Sequence, residues 1–190
     1  MKQEHGATLT ELIVVLFVII LFSVVAVSNF PKMARHFALS GAAYDLAQNV
    51  RKVQDLALSG LQTDDTIGAK GYGIYINLAF DDEKYYLYVD KGDYFDKYYD
   101  GYGSDCAPGG YGQSDCVLES IDINKENQGL FIKRFENLMA SSVSINFSPP
   151  NPETTITPSA LETGIVLGLR SEPSYEITVW INNGGLIKVE

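Results

Sequence analysis

Residues 12–27 read LIVVLFVIILFSVVAV, with one hydroxyl (Ser23) and no charge, and a carboxylate, Glu11, stands at their edge. With Ser28 they make about 17 residues, the lower limit for a helix that crosses a bilayer. The block constrains the whole chain, because a soluble fold of this size has no room to bury it as one continuous run. A cleaved secretory signal has a shorter apolar core after a basic start and ends in a small-residue site. This block is too long for that, and Ser23-Val-Val-Ala-Val-Ser28 matches such a site poorly. A plain signal anchor fits the length but leaves Glu11 unexplained, since a carboxylate in hydrocarbon costs several kcal/mol unless paired. Lys2 is the only Lys or Arg before the block, and Lys32 and Arg35 follow it. The positive-inside rule therefore sets no orientation.

Pro31 lacks an N–H and clashes with the preceding turn, so it is expected to kink or interrupt the helix. Beyond it, Leu39, Ala43, Leu46, Val50, Val53 and Ala57 recur at three- and four-residue steps, one apolar face of an amphipathic helix. Asp45, Gln48, Asn49, Arg51, Lys52 and Asp55 fall mainly on the other side. Ser59-Gly60 offers a stop. A helix from Thr8 to Ser59 would be about 78 Å long at 1.5 Å per residue. Its first half has no core of its own and needs lipid or sister helices; its second half can pack on a sheet.

After Gly60 the period changes. Strands are predicted over Tyr72–Leu78, Tyr85–Val89, Val117–Ile123, Leu130–Phe135, Val143–Phe147, Ile165–Leu169, Tyr175–Ile181 and Leu186–Val189. Asn182-Asn183-Gly184-Gly185 joins the last two as a hairpin turn, because Asn and Gly tolerate positive φ. Ser148-Pro149-Pro150-Asn151-Pro152 is expected to be a loop. The fold class is α+β, a long N-terminal helix with an antiparallel β domain after it, and no internal repeat is visible.

The stretch Gly6-Ala7-Thr8-Leu9-Thr10-Glu11-Leu12 resembles the processing site of type IV pilins and type II secretion pseudopilins. In that family a membrane peptidase cuts a short polar leader after Gly and N-methylates the new first residue. Glu stands fifth in the mature chain, and an apolar helix follows. The resemblance implies cleavage between Gly6 and Ala7, methylation of Ala7, and a role for Glu11 in methylation and assembly. Ala7 departs from the Phe or Met that many members carry. The pairing is physically apt. Cleavage creates an ammonium at Ala7, and a neighbouring subunit's ammonium can neutralise Glu11 in lipid and help set register. Without that motif, Glu11 is an ordinary helix-start acid favoured by the dipole.

The family shape implied is a lollipop. Residues 1–6 form the leader, 7–30 the transmembrane and filament-core helix, 31–60 the amphipathic helix on the sheet, and 61–190 an extracytoplasmic β domain. The closing strand–Gly–strand is similar to the GspH/FimT-like minor pilins. Some of these bind DNA through a basic tail, whereas here Gly185 is followed by Leu186-Ile187-Lys188-Val189-Glu190, with one Lys. Implied partners are the prepilin peptidase, other pilin or pseudopilin subunits, an inner-membrane assembly platform and membrane lipid. The implied location is a single-pass inner membrane protein, then a pilus or a periplasmic pseudopilus. An anchored or pilus-tip binding protein, an adhesin or DNA-uptake minor pilin, is the other reading of the same motif.

The formal net charge of −10 argues against binding of a phosphate backbone by the bulk surface. Cys106 and Cys116 flank a nine-residue Gly-rich segment, and two cysteines in an exported domain read as a disulfide. A shared metal site is the alternative, but no other Cys is present and His is scarce. Ten of the twelve tyrosines lie between Tyr72 and Tyr111, mixed with aspartates. This is a half-buried sheet with a solvated loop, or a contact surface for subunits, glycans or cells. Asp93, Asp96 and Asp100 make a weak Ca²⁺ candidate, since hard cations favour carboxylates but the spacing is not that of an EF-hand. Trp180 is expected in the core, because Ile177, Val179 and Ile181 alternate with polar residues around it. No cofactor motif occurs, and removal of the leader takes His5 and leaves only His36, so no catalytic Ser–His or Cys–His arrangement is expected. The chain is read as a non-enzyme.

Overall fold

The computed structural model describes residues 8–59, 71–91, 97–99, 115–126, 128–148 and 153–190. One helix, α1 (Leu9–Ser59), precedes nine strands. These are β1 (Gly71–Asn77), β2 (Lys84–Asp90), β3 (Cys116–Asp122), β4 (Leu130–Glu136), β5 (Ser142–Ser148), β6 (Glu153–Thr157), β7 (Glu162–Leu169), β8 (Glu172–Asn182) and β9 (Ile187–Val189). The class is α+β, with all pairing antiparallel. One sheet has the order β3-β2-β1-β5-β6 and the other β4-β7-β8-β9.

Packing divides the chain between Ala38 and Leu39. In the first unit α1 stands without any strand. The expected break at Pro31 does not occur: the helix runs through it. Proline removes one intrahelical bond, at a cost of about 3 kcal/mol, but the cooperative ladder on either side spans many turns and holds the helix.

In the second unit the predicted stripe is the buried one. Leu39, Ala43, Leu46, Val50, Val53 and Ala57 are all fully buried. Polar residues beside the stripe tie the helix to both sheets. The Asn49 amide donates to the Tyr85 hydroxyl of β2 at 2.7 Å, Lys52 pairs with Glu119 of β3 at 2.8 Å, and the Gln54 amide reaches the Gly185 carbonyl at 3.5 Å. The facing side of the first sheet is apolar: Tyr72, Ile74, Ile76, Tyr85, Leu87, Val89, Val143, Ile145 and Phe147 are fully or almost fully buried.

The strands lie where predicted, to within one to three residues at each end, with one addition. Strand β6 (Glu153–Thr157) pairs along β5, matching Ile156 to Ile145 and Thr154 to Phe147. Its sequence, ETTIT, has a single strongly apolar residue, and the neighbouring prolines mask it; only its partner strand makes it a strand. A bulge between Ile132 and Arg134 explains an odd spacing in β4, where Leu130, Ile132 and Phe135 are the buried residues. The β8–β9 turn is the expected hairpin. Gly185 takes φ 77°, and the Asn182 side-chain oxygen accepts the Gly184 and Leu186 N–H groups at 3.0 and 2.9 Å.

Trp180 is a correction. The alternation expected for β8 is present, with Val179 and Ile181 buried, but it puts Trp180 on the opposite face, half-buried, together with Thr178 and Asn182. A period of two cannot place an apolar residue on the same face as both of its apolar neighbours.

Candidate functional site

The head of α1 is built by its cap. The Thr8 hydroxyl oxygen accepts the Glu11 N–H at 3.3 Å, its carbonyl accepts the Leu12 N–H at 3.2 Å, and its hydroxyl lies 3.0 Å from that of Thr10. Thr8 is therefore the N-cap and Glu11 the N3 residue of a capping sequence T-x-x-E. This is where a helix dipole favours an acid. Glu11 is exposed, and among the described residues no ion pair involves it. Gly6 and Ala7 lie outside the described residues.

The surface that follows is bare on every side. Leu12, Ile13, Val14 and Val15 point about 100° apart around the axis, yet they are 57%, 56%, 59% and 51% exposed. No residue of the most apolar 18-residue window of α1 is buried among the described residues, and its length and composition suffice to cross a membrane. Ser23 does not interrupt it, because its hydroxyl donates to the Ile19 carbonyl at 2.8 Å. His36 is half-buried on the same helix.

The tyrosine-rich region mostly builds the first sheet. Tyr72, Tyr85 and Tyr88 are fully or almost fully buried, and Tyr99 is buried at 7%. Tyr75 packs edge-on to Tyr98 at 5.9 Å and against Tyr99 at 4.9 Å, and Tyr99 in turn packs on Tyr88 at 5.2 Å. Tyr88 is the polar centre of this face. Its hydroxyl lies 2.7 Å from that of Ser144 and accepts the Asn146 amide at 3.3 Å. Burial pushes the Tyr88 hydroxyl well above the usual tyrosine range and that of Tyr85 up to about 12. Asp90 and Asp115 are buried beside it. Asp93, Asp96 and Asp100, the Ca²⁺ candidates, lie outside the described residues, and no group of three metal-ligating side chains occurs among the described ones. Cys116 is disulfide-bonded; Cys106, the only other cysteine, lies outside the described residues.

Sequence reasoning missed the charged network on the outer face of the second sheet. Glu176 pairs with Lys133 and, at 2.8 Å, with Arg134, whose other nitrogen meets Glu136 at 2.8 Å. The Lys133 ammonium and the Arg134 guanidinium hold the Glu176 carboxyl below its usual range. Arg170 lies 4.7 Å from the centre of the Phe131 ring and reaches Asp82 and Glu83 at 2.7 and 3.1 Å. Apart from Arg134 and Glu136 on one strand, these partners are 39 to 88 residues apart, so no local pattern marks them.

The chain matches no protein-family model, no curated protein and no solved structure. The geometry of α1 is the feature with the clearest functional content. It combines a capped acid at the head of a helix, an apolar surface left exposed among the described residues, and a rear half anchored on sheets.

Proposed function

We propose that the chain is a prepilin-type subunit, cut between Gly6 and Ala7 and assembled through α1 into a type IV pilus or type II secretion pseudopilus. The observation that carries this is the apolar front of α1, a continuous run of exposed hydrophobic residues headed by Glu11, whereas the stripe from Leu39 to Ala57 on the same helix is buried. Lipid covers such a surface before assembly and sister helices cover it afterwards. Cleavage supplies the missing counter-charge. A new ammonium at Ala7 lies four residues before Glu11, and a neighbour's ammonium pairs with the carboxylate as the subunit docks. Axial register then follows from the cost of leaving the charge unpaired in an apolar environment. The β domain occupies the extracytoplasmic side, and the subunit acts by assembly without turnover. Thr8 to Glu11 take part in chemistry only as substrate of the peptidase.

The test is made in a host with the peptidase and the assembly machinery. Mass spectrometry of the mature chain is expected to show an N-terminal methylated Ala7, and an intact Met1 would refute the reading. Glu11→Ala is expected to leave cleavage largely unchanged and to block incorporation into filaments. Filaments containing the variant at normal density would remove the charge-pairing step.

A further inference from the structure

A second feature lies on the outer face of the β4-β7-β8-β9 sheet. An open groove of about 230 Å³ is lined by Glu162, Trp180, Asn182, Leu186, Lys188 and Glu190. The strand register sets its layout. Trp180 sits opposite Gly164 on one side and Lys188 on the other, and Glu162 sits opposite Asn182 one row further on.

The platform is rigid. Lys188, directly opposite Trp180, holds the Glu190 carboxylate beside the ring. The benzo edge of the ring lies over Gly164, where an added Cβ would come within 3.1 Å of Trp180 Cζ3 and 2.9 Å of Thr178 Cγ2. Any larger residue at 164 would lift the ring. A fixed aromatic surface binds with little loss of side-chain entropy.

The polar groups beside it are complementary to each other. Glu162 is exposed, and among the described residues it makes no ion pair or hydrogen bond. Asn182 uses its side-chain oxygen in the turn, which leaves its NH₂ as a donor into the groove. The pair therefore offers an acceptor-only and a donor-only group, with Cβ atoms about 5 Å apart as in any directly opposed pair. A hydroxyl is both donor and acceptor, so adjacent hydroxyls on one ring satisfy both. Leu186 is 65% exposed and extends the apolar floor. Lys188 and Glu190 neutralise each other and the Glu162 carboxylate is left over, so the lining disfavours an anion. The volume is below the roughly 300–1,000 Å³ of drug-sized sites, which suits a single ring.

We propose that this groove binds a neutral saccharide, with one pyranose ring stacked on Trp180 and its hydroxyls shared between the Glu162 carboxylate and the Asn182 amide. The site does not depend on how α1 is used.

Trp180 is the only tryptophan, so its fluorescence reports the site directly. The full chain in a zwitterionic detergent without a sugar headgroup is titrated with maltotriose, cellotriose and chitotriose. A saturable shift with at least one of them is expected. Glu162→Ala should weaken that binding at least about ten-fold, as for a lost hydrogen bond to a charged group. Asn182→Asp keeps the acceptor that closes the turn, removes the donor and sets a second carboxylate opposite Glu162, so a loss of at least the same order is expected with the hairpin intact by circular dichroism. No shift with any of the three sugars, or unchanged affinity in both variants, overturns the proposal. A shift with trilysine but with no sugar also overturns it, in favour of a basic peptide.

Discussion

Adding one methyl group at Gly73 tests how the first sheet is packed. In an ordinary strand Gly→Ala stabilises by about 0.4–1 kcal/mol through the unfolded chain. Here β1 runs beneath the Tyr88 ring. A Cβ at 73 would lie 2.3, 2.4 and 2.5 Å from Tyr88 Cε1, Cζ and Oη. The ring cannot swing aside freely. It is fully buried, its hydroxyl is tied to Ser144 and Asn146, and Tyr99 packs on it. Overpacking of this kind costs about 1–3 kcal/mol, and two strained or lost hydrogen bonds add about 1 kcal/mol each. Gly73→Ala is therefore expected to destabilise by about 2–5 kcal/mol net of the propensity effect, which has the opposite sign. Tyr88→Ala alone should cost about 3–5 kcal/mol, as for other large aromatics. In the double variant the methyl group has nothing to strike, so the two losses should fall short of their sum by about 3 kcal/mol. Urea unfolding of the detergent-solubilised chain, followed by Trp180 fluorescence, measures all three. A Gly73→Ala protein as stable as the parent, or strictly additive losses, would refute the packing described.

Three further outcomes follow from the same structure. Tyr85 has its folded-state pKa raised to about 12 from 10, so the stability it contributes is complete below pH 10 and is lost as pH rises towards 12. The loss is at most about 2.7 kcal/mol, two pKa units at 1.36 each, and Tyr85→Phe should flatten this part of an alkaline denaturation curve. On α1, Leu46→Ala should cost about 2–5 kcal/mol; Tyr44, which is 60% exposed, should tolerate alanine within about 0.5 kcal/mol. Urea midpoints separate the two, and equal effects would mean that the buried face is misassigned. Asn49→Leu should leave the buried Tyr85 hydroxyl without its donor and cost about 1–3 kcal/mol, a loss that Tyr85→Phe in the same chain should largely remove.

The parts of the fold that were legible are those where one local period decides the outcome. The helix's end followed from Ser59-Gly60, and its inner face followed from six residues at three- and four-residue steps. Eight strands followed from alternation and turn residues. The misses have separate physical causes. Strand β6 is made by its neighbour, because ETTIT has little apolar content of its own. Pro31 was expected to kink or interrupt the helix, and it does not interrupt it, because one missing bond is small against a ladder of this length. Trp180 was assigned to the core by its hydrophobicity, when the alternation of its own neighbours already put it on the other face.

The candidate site divides in the same way. The acid, the apolar block and the motif around Gly6 are contiguous, so the sequence by itself determined the character of α1, including which half can find cover inside the chain. Strand order, the bulge at Ile132–Arg134, the Tyr88–Ser144–Asn146 cluster and the groove beside Trp180 were decided only by tertiary structure. They join residues up to 75 positions apart, as for Tyr72 and Phe147, and hydrogen bonds and ring contacts act over a few ångströms in space. A local pattern can dictate which face of a strand is apolar. It cannot dictate which distant strand that face will meet.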